Sequence, residues 1–253
     1  MPNDGPPTSL KTTATSIEVL ETLESVDGAT VSEIAERMDK PKSTIHGHLA
    51  TLREKMFVIQ KGDLYFLGPE LLRFGSRVRT RESGYVLARK FTERLFEATE
   101  LRSIFAVEMG GKAVFLHTAS GNHMGWSHEQ LGNRLYLHNT AVGKAILARL
   151  PEVRIDQIID RWGLPEETEN TITERDELFA ELATIREQGY AVNRGENFDE
   201  LYGIGCAATR QSGNVIGGFS VTGPEHAIID EEGVIARTIK DIVNEFELEL
   251  ALA

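Results

Sequence analysis

A chain of 253 residues with 41% hydrophobic side chains has apolar material for two packed domains and too much of it for a disordered polymer. Its longest apolar runs, such as Val215 to Val221, fall far short of a membrane span, and a single cysteine, Cys206, excludes an internal disulfide and a multi-cysteine zinc site. The formal net charge of -12, from 39 acidic against 27 basic side chains, has the wrong sign for a nucleic-acid binder unless the basic residues are concentrated locally. The N-terminal segment lacks the basic start and apolar run of a signal peptide, so residues 1–9 are read as a flexible tail and the protein as cytoplasmic, with no membrane partner. Residues 10–69 read as three helices and a hairpin. The first helix sets Ile17, Leu20 and Leu23 on one face and stops at Val26-Asp27-Gly28. A short second helix carries Ile34, Ala35 and Met38, with Thr30 or Ser32 as its cap. Lys40-Pro41-Lys42 is a break, since proline resists a helix interior; a third helix then runs from about Ser43 to Lys55 with Ile45, Leu49 and Leu52 inward. Phe57 to Ile59 and Leu64 to Leu67 form strands that turn at Lys61-Gly62-Asp63.

Residues 70–99 are helical in two pieces that part near Ser83-Gly84, and Arg73, Arg77 and Arg81 make a basic stripe read as a solvated face. From about Arg102 short strands alternate with helices. Ser103 to Met109 and Lys112 to Thr118 flank Gly110-Gly111, a hairpin signal. Thr140 to Leu150 reads as a helix, and residues 151–172 as a connection with one short helix broken at Gly163-Leu164-Pro165. A helix opening at Thr173 turns Leu178, Leu182 and Ile185 inward and closes at Gly189. Tyr190 to Asn193, Gly205 to Arg210 and Val215 to Thr222 are strands, and the C-terminal helix carries Ile235, Ile239, Ile242 and Phe246. The fold class is α+β, its second half an α/β domain of about six strands.

Opposite its apolar face the third helix presents Ser43, Gly47, Ala50 and Glu54, flanked by Thr44, His46, Thr51 and Arg53. Short side chains let a helix enter a major groove, where hydroxyl and imidazole groups reach base edges, and the first N–H groups of the helix suit a phosphate. Lys40, Lys42, Arg53, Lys55 and Lys61 against Glu54 form a basic island, with Lys61 at the hairpin tip. The expected DNA-reading set is therefore Lys40, Lys42, Ser43, Thr44, His46, Gly47, Thr51 and Lys61, with double-stranded DNA as the partner; the alternative on these residues alone is a plain three-helix domain. Acidity over the rest of the chain fits a salt-rich cytoplasm, where net charge keeps proteins apart.

The second half shows no paired catalytic acids, no metal-spaced His/Cys cluster and no phosphate loop, so no metal or cofactor is expected. Thr140 reads as a helix N-cap that turns the amides of Ala141, Val142 and Gly143 outward, either as an anion site or as an ordinary cap. Ser220 and Thr222, two apart on a strand, share a face and would hold a ligand or satisfy backbone groups. His123, Trp126 and His128 read as loop anchors or a lid. The enzymatic alternative makes Cys206 a nucleophile, although no histidine lies within ten residues of it.

Pro41-Lys42-Ser43-Thr44-Ile45-His46 with Leu49-Ala50-Thr51-Leu52 resembles the recognition helix of the IclR family of transcriptional regulators. His138 to Ala148 resembles that family's H-x-T-A-x-G-K-A-x-L-A segment, Arg186 to Ala191 its R-x-x-G-Y-A, and Ser220 to Pro224 its S-V-S-G-P. The resemblance implies a winged helix-turn-helix domain over residues 10–69, a linker helix over 70–82 and a GAF/PAS-like effector-binding domain over 83–253. It also implies a homodimer or a dimer of dimers, and Leu71, Leu87, Phe91 and Leu95 are the expected contact between copies. An organic, sugar or aromatic acid would be bound by Ala141, Val142, Glu196, Ile204, Cys206, Ser220 and Thr222, with Glu196 meeting a hydroxyl or an amine. Gly47 departs from the pattern, standing where many members carry arginine, so the operator cannot be carried over from them.

Overall fold

The computed structural model describes residues 10–121 and 131–252; His123, Trp126 and His128 lie outside the described residues. The chain divides into two compact units, one up to Val78 and one from Arg79 onward.

The first unit holds α1 (Lys11–Glu24), α2 (Val31–Arg37), α3 (Lys42–Glu54), the hairpin β1 (Val58–Lys61) and β2 (Leu64–Leu67), and all but the last residue of α4 (Glu70–Arg79). Thr30 is the cap of α2: its hydroxyl accepts from the Glu33 amide at 3.3 Å, and the Glu33 carboxylate accepts from the Thr30 amide at 2.7 Å. The hairpin turns on Gly62-Asp63, with Gly62 at φ 59°, where a residue without a Cβ is at ease. Val19, Leu23, Ile34, Ile45, Leu49, Val58 and Tyr65 form the core. In α1 the inward residue is Val19, and Ile17 is 51% exposed. A two-residue step turns about 200° around a helix, so Val19 and Leu23 cannot share their face with Ile17. Ser16, hydrogen-bonded to His48 Nδ1 at 2.8 Å, ties α1 to α3.

The second unit runs α5 (Ser83–Thr99), β3 (Arg102–Met109), β4 (Lys112–Ala119), β5 (Arg134–Tyr136), α6 (Ala141–Leu147), α7 (Glu152–Trp162), α8 (Arg175–Gln188), β6 (Ala191–Arg194), β7 (Tyr202–Thr209), β8 (Val215–Gly223), α9 (Glu225–Ile229) and α10 (Glu232–Leu252). The six strands form one antiparallel sheet in the order β5-β4-β3-β8-β7-β6. Under α5 and α10, Phe105 and Phe219 stand 4.8 Å apart between ring centres, Phe219 and Phe246 5.1 Å, and Phe91 and Phe246 5.5 Å. The other face packs α6 and α8 through Ile104, Ala106, Val142, Ile146, Leu178 and Leu182.

Four expectations change. Phe91 and Leu95 are fully buried in the layer under α10, and Leu87 packs against it, so these residues serve their own core rather than a contact between copies. The helix that carries Arg73 and Arg77 ends at Arg79, leaving Arg81, the third residue of the expected stripe, outside it. The helix expected over Thr140 to Leu150 ends at Leu147, and the strand expected from Gly205 begins at Tyr202.

Candidate functional site

Pro41 opens α3, and its carbonyl accepts from the amides of Thr44 and Ile45 at 2.9 and 3.2 Å. Ile45 and Leu49 turn into the core, which leaves Lys42, Ser43, Thr44, His46, Gly47 and Thr51 exposed along the opposite face. Thr51 bonds back to the Gly47 carbonyl at 3.2 Å, and a Cβ on Gly47 would meet nothing within 4 Å. The basic island is partly spoken for. Lys40 pairs with Glu18 on α1 at 3.2 Å, Lys55 with Glu54 at 2.8 Å, and Arg53 donates to Gln60. Lys42 stays exposed at the start of α3, and Lys61 at the hairpin lies 5.6 Å from the centre of the Phe66 ring. Small hydroxyl groups and an imidazole on an open helix face, with a lysine at its start, suit base edges flanked by phosphates.

In the second unit, Thr140 caps α6 by accepting from the Gly143 amide at 3.2 Å and donates to the Tyr136 carbonyl at 3.1 Å. Glycines let α6 lie against the sheet. A Cβ on Gly205 would stand 2.5 Å from the Ala141 carbonyl carbon, and one on Gly218 3.0 Å from Val142 Cγ2. Ser220 and Thr222 pair across β7 with Gly205 and Gly203, on the face that α6 covers. Ala141, Val142, Ser220 and Thr222 are therefore brought together. Glu196 lies beside Lys144, whose ammonium donates to it at 2.6 Å and to Glu181 at 2.9 Å. The amine that Glu196 meets is thus the chain's own; burial still holds the Glu196 carboxyl above its ordinary range. This trio borders an open cleft of about 380 Å³ lined also by Arg194 and Glu232.

Ile204 and Cys206 fall on the opposite face. Strand alternation turns them into the layer under α5 and α10, with Phe219 and Phe246. The Cys206 thiol donates to the Gly189 carbonyl at 3.4 Å, and burial pushes it up to about 11. A thiol that holds its proton this strongly is a wall residue, not an activated nucleophile. Sequence reading missed Arg102, which is 4% exposed at the start of β3 and pulled down by burial to about 10. An isolated arginine before a strand gives no periodic signal; its even-numbered parity with Ile104 and Ala106 was the available hint.

Residues 15–62 match the model of the IclR helix-turn-helix domain, and residues 85–246 that of the bacterial transcriptional regulator IclR C-terminal region. The chain belongs to the IclR family of transcriptional regulators. It is 30% identical to a probable HTH-type transcriptional regulator ArcR of Halobacterium salinarum, over 99% of this chain and 98% of that one. The IclR crystal structure from Thermotoga maritima is 27% identical and superposes with a TM-score of 0.75, covering 94% of this chain and 100% of that one. An IclR homologue from Microbacterium hydrocarbonoxydans, 22% identical, shares the fold with a TM-score of 0.79 over 96% of this chain and 100% of that one. As an IclR-family regulator the protein carries a helix-turn-helix DNA-binding domain ahead of a C-terminal effector domain.

Proposed function

We propose that the protein binds a pseudo-palindromic operator as a homodimer in the cytoplasm, and that a small anionic or polyhydroxylated metabolite bound against α6 controls that binding without being consumed. The observation that carries DNA reading is the exposed row Lys42, Ser43, Thr44, His46, Gly47 and Thr51 on a helix whose other face is locked by Ile45 and Leu49. Lys42 and Lys61 meet phosphates, while Thr44 and His46 meet base edges; Lys40 holds the turn through Glu18. The effector meets Ala141, Val142, Ser220 and Thr222, with Thr140 and Glu196 positioning α6 from either end of its first turns. The Microbacterium homologue is complexed with 4-hydroxybenzoate, a small aromatic acid. What supports dimerisation is α4, which buries none of its residues and exposes Leu72 at 73%, Phe74 at 48% and Val78 at 40%. One recognition helix reads only a few base pairs, so a second copy supplies the missing specificity.

Genome-wide chromatin mapping yields the bound promoters, and electrophoretic shifts on those fragments test the residues. Thr44→Ala and His46→Ala are expected to relax base preference, and Lys42→Ala to weaken binding on all sequences. Variants that bind every fragment like the parent would reject α3 as the reading helix. Light scattering should give twice the 28.1 kDa chain mass or more.

A further inference from the structure

Lys112 opens β4 after the Gly110-Gly111 turn and stands directly across from Tyr136 on β5. Its ammonium lies over the Tyr136 ring and 4.7 Å from the centre of the Trp162 ring, at the end of α7. The Trp162 indole N–H donates to the Gly110 carbonyl at 2.8 Å, and Gly111 makes room for it, since a Cβ there would stand 2.6 Å from the indole nitrogen. Glu108 fastens the same turn, accepting from the Gly111 amide at 2.7 Å and from Arg154 of α7 at 2.8 Å. Lys112 and Tyr136 are half-buried and Trp162 is 37% exposed, so the two rings enclose the amine near the surface rather than in the core. Lys40, Lys55, Lys90 and Lys144 each meet a carboxylate. Lys112 has no carboxylate or carbonyl within hydrogen-bond distance among the described residues; two ring faces stand there instead. Burial against them strips water from the ammonium and pulls it down to about 8, with Glu167 opposing. Arg161 lies 5.0 Å from the Trp162 ring centre, and His138 nearby is held neutral by burial. At pH 8 about half of such an amine is the neutral nucleophile, against less than about 1% of an ordinary lysine. Desolvation is a usual way to activate a lysine toward a carbonyl carbon. An amide product would be neutral and forfeit both ring contacts, whereas a protonated imine keeps its charge between them.

We propose that Lys112 is a carbonyl-capture site, which takes a small aldehyde reversibly as an iminium held between Tyr136 and Trp162. The nitrogen lone pair forms the C–N bond as the C=O π pair moves to oxygen, and a proton passes from nitrogen to that oxygen. The carbinolamine then loses its hydroxyl, with a proton from solvent, as water, which leaves the iminium; no oxidant or reductant takes part. The site uses none of the residues assigned above to DNA or to the effector.

The test uses the full chain, with benzaldehyde and butanal as probes and cyanoborohydride to fix the adduct for intact mass and peptide mapping. At pH 7.5 the first adduct is expected at Lys112, formed more than about tenfold faster than at any other of the nine lysines. Mapping separates it from the α-amino group, which titrates in the same range. Competitive labelling with trace acetic anhydride from pH 6 to 11 reads the amine itself, and Lys112 should reach half its plateau near 8. Lys112→Arg should lose the fast adduct, while Tyr136→Leu and Trp162→Leu, which keep the lysine, should each slow it by about 2- to 5-fold. The comparison among lysines of the parent protein needs no variant, so it stands even if a ring variant folds poorly. The proposal is overturned if adducts spread over the lysines without preference, or if Lys112 reaches half its plateau near 10 as an ordinary lysine does. It also falls if both ring variants, well folded, capture aldehyde as fast as the parent.

Discussion

Lys144 is 2% exposed, and its ammonium is held between two carboxylates. The family-like G-K-A segment marked the residue without saying what it does; the structure makes it the post that joins α6 to Glu196 and Glu181. Removing one partner of a buried pair leaves a bare charge, which typically costs about 3–5 kcal/mol. Lys144→Met should therefore lose about that much in urea unfolding, while Lys144→Met with Glu196→Leu should recover most of it. Additive losses in the two single variants would contradict this coupling. His138 gives a second residue-level expectation. Burial pulls its imidazole down to about 4, with Nε2 hydrogen-bonded to the Pro165 carbonyl at 3.2 Å. A histidine with a lowered folded pKa contributes stability above its unfolded value, near 6.5, and loses it as the pH falls from there toward about 4. The full effect is bounded at roughly 3 kcal/mol. Unfolding midpoints should fall between pH 7 and 5, and His138→Gln should flatten that fall; an equal slope in both proteins would assign it to other groups.

Glycine divides the elements into those that need it and those that do not. On β7, a Cβ at Gly205 would meet the backbone of α6 at 2.5 Å, and a helix backbone cannot step aside as a side chain can. Gly205→Ala should cost about 1–3 kcal/mol and lift α6 from the sheet. Gly47 on α3 faces open space, so Gly47→Ala should stabilise the first unit by about 1 kcal/mol through helix propensity. Hydrogen exchange at the α3 and α6 amides of the full chain reads both, and the two shifts must have opposite signs. The same contrast explains what the sequence made legible. The period of α3, the Ile235, Ile239, Ile242 and Phe246 row of α10, and the Gly110-Gly111 hairpin were open to reading because one face of each is apolar or one turn demands glycine. Tyr202 to Thr209 was harder: β7 is covered on both faces, so no alternation says which residues face α6. Ile204 and Cys206, grouped with Ala141 by the family resemblance, belong to the opposite layer, and no alternation in the sequence of β7 was there to correct it. Three-residue β5 is too short to carry a period, and the burial of Arg102 depends on strands far along the chain.

At the scale of the molecule, a net charge of -12 opposes approach to DNA, and only Lys42 and Lys61 of the basic island stay exposed without a carboxylate or amide bond to a neighbour among the described residues. Affinity that depends on phosphate contacts falls with salt as counterions are released, with a log–log slope of about -0.9 for each phosphate neutralised. The proposed homodimer, presenting these two lysines twice, should therefore show a shallow slope, on the order of -4. Added salt also screens the repulsion between DNA and the acidic surface, since the Debye length shrinks to about 3 Å at 1 M, which flattens the curve further. On the proposed reading, base contacts by Thr44 and His46, and the spacing of the two α3 helices of a homodimer, carry more of the binding than charge does. Fluorescence anisotropy on a mapped promoter fragment across a potassium chloride series measures this directly. Lys42→Ala and Lys61→Ala should each reduce the slope by about 2 in a dimer and leave the ranking of operator sequences unchanged. A parent slope near -10, or lysine variants that change sequence ranking while the slope stays fixed, would mean that phosphate and base contacts are divided differently between α3 and the hairpin.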